Sequence, residues 1–304
     1  MKILVTGSNG LLGQKLTELL LSQQDISLIA TCRGENRFPK TQGYHYEKMD
    51  ITDPTVVANV IASHRPDVVI NTAAMTNVDI CHQDPEGCSR LNVVAVQTLV
   101  EVCNLYDVHL IQLSTDFVFD GENGPYREED QTNPISIYGQ SKWDAEQLIA
   151  ASSSSWCIIR TILVYGVVRD GSRSNIVLWA KESLENDRVI NVVNDQWRMP
   201  TLAEDLAMAC LAAAKHRAQG IFHVSGDELM SIRQLVRTVA DYWKLNSLNI
   251  NPVSSDALNQ QARRPIRTGF VLDKARDILG YQPRSFEDGL ALVDTQLHAL
   301  LMQK

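Results

Sequence analysis

The sequence lacks long apolar runs, closely spaced cysteines and any surplus of basic charge, and each shortage closes off a class of function. Its longest stretch free of Asp, Glu, Lys and Arg runs from Gln147 to Ile159, thirteen residues of which four are serine. A membrane-spanning helix needs about 20 apolar residues, so no membrane partner is expected. The six cysteines (Cys32, Cys81, Cys88, Cys103, Cys157 and Cys210) include no Cys-x-x-Cys pair, and no His-x-x-x-His pair occurs, so structural zinc is not expected. Cys32, Cys103 and Cys157 lie in apolar runs and read as buried, inert thiols. Basic residues number 28 against 36 acidic ones, a net charge of −8. That balance repels a phosphate backbone, so nucleic acid is not an expected partner. Met1-Lys2-Ile3-Leu4-Val5 leads straight into a strand-like run without an apolar signal region, which makes a cytoplasmic protein the expectation.

What is present suits an ordinary globular protein: 304 residues, 44% hydrophobic and 21% charged, enough for two domains or one large α/β unit with an appendage. Short β-branched runs at Ile3–Thr6, Ser27–Thr31, Val68–Asn71 and His109–Leu113 read as strands. Helical periodicity separates them, over Leu11–Leu21 and over a long segment from about Pro85 to Tyr106. This alternation predicts a Rossmann-type α/β fold, a doubly wound parallel sheet with helices on both faces. The serine run 152–155 reads as a helix-to-strand connection. Beyond Ile158-Ile159-Arg160 the pattern loosens into a loop at 169–172, a helix over 173–184 and a run rich in Asn, Asp and Pro. We therefore expect a dinucleotide-binding domain over 1–165 and a smaller C-terminal α/β substrate domain over 166–304, with the chain crossing back to the first domain around 192–225.

Gly7-Ser8-Asn9-Gly10-Leu11-Leu12-Gly13 follows the first strand and opens the first helix. A dinucleotide pyrophosphate needs a tight turn, close backbone approach and the positive end of a helix dipole, and glycine supplies the first two. The spacing differs from Gly-x-Gly-x-x-Gly and points to a particular branch of dinucleotide folds. Twenty residues past Gly13, Arg33 stands where an acidic residue would bind the ribose of NAD; an arginine there suits the 2′-phosphate of NADP, unless it is simply a solvated surface residue beside Glu35. Asp50 and Ile51, after the third strand, are placed to hold the adenine, although Asp50 has the alternative of capping the next helix. Asn71-Thr72-Ala73-Ala74 ends the next strand with small residues that leave room for ribose or nicotinamide.

Tyr138 and Lys142 are four apart where a helix begins, so they share a face. A neighbouring ammonium and a positively charged nicotinamide would favour the phenolate and make the phenol a working proton donor. The strand His109–Leu113 ends in Ser114-Thr115-Asp116, at the edge of an open parallel sheet where ligands sit, and either hydroxyl is placed to meet a substrate carbonyl.

Glycine turn, hydroxyl and Tyr-Lys pair, in this order, resemble the extended short-chain dehydrogenase/reductase family over nearly the whole chain. Within it, Ser114-Thr115-Asp116-Phe117-Val118-Phe119-Asp120-Gly121, Tyr126-Arg127-Glu128-Glu129-Asp130 and Asn133-Pro134 ahead of Tyr138-Gly139-Gln140-Ser141-Lys142 are similar to the dTDP-4-dehydrorhamnose reductase branch. Val78-Asp79, Asn92, Val189-Ile190-Asn191, Asp195-Gln196 and Pro200-Thr201 continue the likeness. The resemblance implies an NADPH-dependent reductase, NADH being usable, that reduces the 4-keto group of a nucleotide-linked deoxysugar, as a monomer or homodimer. Tyr138 would be the general acid, Lys142 would lower its pKa and hold the ribose, and Thr115 would orient; Thr115 and Asp116 would touch the sugar. Ser8 to Leu12, Asp50, Ile51, Ala73, Ala74 and Met75 would line the cofactor.

Two departures stand out. Where the branch reads Arg-Thr-Ser-Trp-Val-Tyr-Gly, this chain has Arg160-Thr161-Ile162-Leu163-Val164-Tyr165-Gly166, so the Trp that packs on the deoxysugar is replaced by Leu163. Some members bind magnesium at a dimer interface through a Glu in the first helix, where this chain has Lys15, so no metal is expected. Two other readings remain: a nucleotide-sugar epimerase or dehydratase of the same fold, or a non-catalytic NADP-binding regulator resembling the regulatory subunit of methionine adenosyltransferase.

Overall fold

β1 (Lys2–Thr6) carries Ile3, Leu4 and Val5 with no exposed surface at all. A strand that is apolar on both faces belongs in the middle of a parallel sheet covered by helices on each side. The computed structural model places it there. It describes residues 1–152, 155–169, 174–258 and 260–302.

After β1 come α1 (Leu11–Leu21), β2 (Ser27–Cys32), β3 (His45–Lys48), α2 (Pro54–His64) and β4 (Val68–Asn71). The chain continues through α3 (Val78–Gln83), α4 (Pro85–Ser89), a π-helical turn (Arg90–Val94), α5 (Ala95–Tyr106), β5 (His109–Thr115), α6 (Ile137–Ala150) and β6 (Trp156–Thr161). Next are β7 (Val164–Tyr165), α7 (Ile176–Glu185), β8 (Ile190–Val193), β9 (Trp197–Arg198), β10 (Thr201–Leu202), α8 (Ala203–His216) and β11 (Gly220–Val224). The last elements are β12 (Met230–Ser231), α9 (Ile232–Tyr242), β13 (Ile250–Val253), α10 (Asp273–Leu279) and α11 (Phe286–Leu301).

Seven strands form one all-parallel sheet in the order β11-β6-β5-β4-β1-β2-β3. The order reverses between β1 and β4, the switch point at which such sheets open a crevice beyond their carboxyl ends. One face is covered by α1 and α8, where Leu16, Leu20, Leu206 and Ala213 meet Ile3, Val5 and Ile159. The other is covered by α2, α5 and α6, where Ile61, Leu99 and Ile149 meet Leu4, Val69 and Ile158. This is the doubly wound architecture expected from the sequence. A third core joins Tyr165 and Val167 to α7, α9 and α11 through Val177, Leu235, Val236 and Leu290.

Local signals explain the boundaries. Asp53 caps α2 by accepting from the amides of Thr55 and Val56, with Pro54 at the first helical position, so the capping alternative for Asp50 is not what the chain uses. The single helix expected over 85–106 is interrupted instead by the π-helical turn, one residue per turn wider than an α-helix, which turns Asn92 inward. The helix expected over 173–184 starts at Ile176, because Asn175 caps the amides of Val177 and Leu178. Residue 173, residues 170–172 of the expected loop and residues 153–154 of the serine run lie outside the described residues. Among the described residues no helix is long and apolar enough to cross a membrane.

Candidate active site

A cavity of about 870 Å³ opens at the carboxyl edge of the sheet, between its switch point and the C-terminal elements. Gly7, Asn9, Gly10, Leu11, Leu12 and Gly13 form one wall, Arg33, Asp50 and Ile51 another, and Ala73 and Ala74 a third; Thr115, Asp116, Tyr138 and Lys142 line the same space. Of the cofactor residues expected from the sequence, Ser8 and Met75 do not line it. The Ser8 amide is used on the carbonyl of Thr31 at 3.0 Å. Met75 lies behind Tyr138, held by Asn92, which accepts from its amide at 2.8 Å and donates to its carbonyl at 2.9 Å.

The glycine turn fits a dinucleotide on its own geometry. Gly7 sits at φ +64, and a Cβ there would meet the Ala73 nitrogen at 2.9 Å; a Cβ on Gly13 would meet the Gly7 carbonyl oxygen at 2.3 Å. Side chains at either position would push apart the strand-to-helix corner. Gly10 begins α1 without a side-chain cap, so the first amides of the helix stay available to an anion in the cavity. Ser8 Oγ, buried at this corner, has no partner among the described residues. Asn9 ties the turn to the loop after β2, donating to the carbonyl of Glu35 at 2.7 Å and accepting from the Arg37 amide at 2.9 Å.

Arg33 is exposed at the rim, and the neighbouring carboxylate, Glu35, is engaged by Lys48. Burial would raise the Asp50 carboxyl, but hydrogen bonds from the Thr52 amide and hydroxyl, with the Arg33 charge, bring it below the usual carboxylate range.

Tyr138 and Lys142 occupy the first turns of α6, whose cap is Ser136 accepting from the Gly139 amide. Gly139 packs against Phe117, whose ring meets the Tyr138 ring edge-on with centroids 5.6 Å apart. Below them Ser141 donates to the Tyr138 carbonyl and accepts from Asn92 at 3.0 Å, so the π-helical turn pins the helix that carries the pair. Burial pushes the Tyr138 phenol above its ordinary value; the hydrogen-bonded Thr115 hydroxyl pulls it back, while Asp116, Cys81 and Cys88 push it further up. Burial also brings the Lys142 ammonium down to about 8, against the pull of Glu146, Cys88 and Cys81. Without a bound cofactor, burial is the largest influence on both groups, which are almost wholly withdrawn from water.

The two hydroxyls left open by the sequence separate. Ser114 donates to Glu146 at 2.5 Å, whereas Thr115 donates to the Asp116 carboxylate at 3.1 Å, accepts from the Phe117 amide at 3.2 Å and lies beside the Tyr138 phenol. Asp116 lines the cavity but is buried, accepting from Thr268 and lying 3.7 Å from the Arg198 guanidinium. Burial raises its carboxyl despite these partners.

Sequence reasoning missed Arg198, Thr268, Trp179 and Arg264, which complete the cavity or its support from the C-terminal half. Arg264 is paired to Asp79 at 2.7 Å. Leu163, at the position of the expected Trp, has φ +41, a backbone region costly for any residue with a branched side chain. An indole does line the cavity, from Trp179 on α7. Lys15 is turned away from this space: its ammonium pairs with Glu204 at 2.8 Å and Gln296 at 2.8 Å, joining α1 to α8 and α11.

The family model described as RmlD substrate binding domain matches residues 1–298. Methionine adenosyltransferase 2 subunit beta of Bos taurus is 30% identical over 269 residues, covering 87% of this chain and 78% of that protein. The dTDP-4-dehydrorhamnose reductase of Aggregatibacter actinomycetemcomitans is 28% identical over 301 residues, covering 95% and 97%. Among solved structures, the dTDP-4-dehydrorhamnose reductase of Bacillus anthracis in complex with NADP superposes with a TM-score of 0.83 at 26% identity, covering 97% and 99%.

Proposed function

This chain belongs to the RmlD substrate-binding domain family, and on that premise we propose that it is an NADPH-dependent reductase of the 4-keto group of a nucleotide-linked deoxysugar. The substrate class to test first is dTDP-4-dehydrorhamnose, with dTDP-rhamnose as product. The observation that carries the reading is the convergence of Thr115, Tyr138 and Lys142 with the Gly7–Gly13 turn in one cavity.

Bound NADPH supplies the hydride. The chain supplies the proton and the charge that accompanies it. Tyr138, kept protonated at neutral pH by its burial, gives its phenolic proton to the carbonyl oxygen as that oxygen becomes an alkoxide, and the product leaves as an alcohol. Lys142, one helical turn away, stabilises the phenolate left behind with its ammonium charge and would hold the ribose of a bound cofactor. Thr115 holds the phenol by its hydroxyl and orients it toward the sugar. With NADPH bound, Arg33 would hold the 2′-phosphate, and Asp50 and Ile51 would hold the adenine. Trp179 offers the sugar an aromatic wall in place of the missing Trp at position 163. In this reading, residues 1–165 bind the cofactor, residues 166–304 mainly bind the sugar nucleotide, and the protein works as a monomer or homodimer.

An epimerase or dehydratase reading is weakened by Asp116, whose carboxylate is committed to Thr268 and Arg198 rather than left for elimination chemistry. A regulatory reading draws on the methionine adenosyltransferase relatives. NADPH oxidation measured with a panel of keto-sugar nucleotides separates the two. The reductase reading expects substrate-dependent loss of NADPH absorbance; tight NADPH binding with no consumption on any keto sugar would reject it in favour of the regulator.

A further inference from the structure

At the outer edge of the large sheet, away from the cavity, two imidazoles and a carboxylate come together. His45 and Glu47 are two apart on β3, so their side chains leave the same face of the strand. α2 runs back antiparallel to the strands and delivers its last residue, His64, to the end where β3 begins. His64 Nε2 lies 2.6 Å from Glu47 Oε2, and His45 Nε2 lies 3.4 Å from the same oxygen. The two imidazole rings are 4.7 Å apart between centroids, and one donor atom from each of the three residues falls within 4.8 Å of the others.

The backbone beneath these side chains is fixed. β3 pairs with β2 through Ile29 opposite His45 and Thr31 opposite Glu47. Lys2 donates to the His64 carbonyl at 2.6 Å, and left-handed Arg65, at φ +47, closes the helix with its amide on Ile61. Three ligands from two elements, β3 and α2, are thus held on rigid backbone, which is what a metal site requires of its scaffold.

We infer that His45, Glu47 and His64 form a binding site for a divalent transition metal ion, with zinc as the best match to the donor set. Two imidazole nitrogens and a carboxylate oxygen suit a borderline-soft cation at about 2.0–2.2 Å, and tetrahedral bonds of that length separate donors by about 3.4 Å. The His45–Glu47 pair already has that separation. The His64–Glu47 contact is a hydrogen bond that opens by less than about 1 Å as its proton gives way to the cation, a movement within reach of side-chain rotation. The His45 side chain is 55% exposed and that of Glu47 37%, so the fourth position faces solvent and takes water or a donor from another molecule. None of the three lines the cavity. The ion would clip the edge strand β3 to the end of α2, leaving the proton-transfer chemistry untouched. Glu47 and His64 are 17 positions apart, so no short metal-binding spacing joins them in the sequence.

The test is a titration of the chelator-treated full chain with Zn²⁺ in competition with a chromophoric chelator, alongside thermal unfolding with and without Zn²⁺. One equivalent bound with micromolar or tighter affinity, accompanied by a rise in Tm, is the expected result. Glu47→Gln and His64→Gln should each weaken binding tenfold or more and abolish the Tm rise, while His298→Asn, at an exposed histidine elsewhere, changes neither. The metal-free Tm of each variant, close to that of the parent, shows that the fold is retained. Equal Zn²⁺ affinity in the parent and in a His45→Ala/His64→Gln double variant, or no stoichiometric binding by the parent, would overturn the site.

Discussion

Two consecutive hydroxyls at the end of β5 reach the same helix and enter buried polar groups of opposite character. Ser114 meets Glu146, which receives the Arg160 guanidinium in a two-pronged pair, Nε at 3.0 Å and Nη2 at 2.7 Å. Arg160 also donates to the Glu128 carbonyl and faces His223, whose other ring nitrogen meets the Tyr126 carbonyl at 3.1 Å. Every charge there has its partner. One and two turns back along the same face of α6, Lys142 is 3% exposed, its ammonium attracted by Glu146 but hydrogen-bonded to no described residue, and the Tyr138 phenol is pushed up by burial. A fully paired buried network holds a structure, whereas a buried charge without a hydrogen-bond partner, such as Lys142, which Glu146 attracts only through its charge, costs stability and is retained where a ligand completes it. The difference between these neighbours is the strongest physical argument for where the chemistry happens.

That contrast can be broken by mutation. Glu146→Ala strands a buried guanidinium and should cost about 3–5 kcal/mol of stability, read as a fall in the denaturant midpoint. A loss below about 1 kcal/mol would show that the pair is not a structural keystone.

Acid should strike the buried histidines. Burial holds the neutral imidazole of His109 down to about 4, and that of His223 well below its ordinary value. Because the unfolded chain takes up these protons more readily than the folded one, stability is full above about pH 6.5 and lost as pH falls from there toward 4. For His109 alone the loss is on the order of 3 kcal/mol. Chemical denaturation across that range checks it, and His109→Gln should flatten the profile.

The unpaired side should respond in the opposite sense. Lys142→Met removes a buried charge and should raise the stability of the cofactor-free protein at pH 7 by about 1–3 kcal/mol while abolishing turnover. A destabilised Met variant would mean that the ammonium has a structural partner after all.

The smallest effect lies at the rim. Arg33→Asp should erase or reverse a preference for NADPH over NADH of about tenfold, the value of a charge-assisted phosphate contact of roughly 1.5 kcal/mol. Equal Michaelis constants for the two cofactors in the parent would remove Arg33 from that role.

What was legible in the sequence is local in the chain. The Gly7–Gly13 turn, the Tyr138–Lys142 spacing and the strand-ending Ser114-Thr115 announce themselves because each function is built within a few residues. The parallel sheet was legible because Ile3–Val5 and Val68–Ile70 are apolar on both faces. What escaped depends on distant partners. Asp116 finds Thr268 across 152 positions, Asp79 finds Arg264 across 185, and Glu47 finds His64 across the whole of α2. The π-helical turn that aims Asn92 carries no glycine or proline to mark it. Ser114 and Thr115 are chemically alike, and only packing against α6 decides which hydroxyl is structural and which faces Tyr138.

If the incompletely paired group is a proton-donating active site, Tyr138→Phe removes the proton and keeps the ring; NADPH affinity and keto-sugar reduction are measured on one preparation. The expected result is an unchanged NADPH dissociation constant and a turnover lowered by about 10² to 10⁴-fold, the usual value of general acid catalysis. A Phe variant that reduces the sugar at near the parent rate would contradict it.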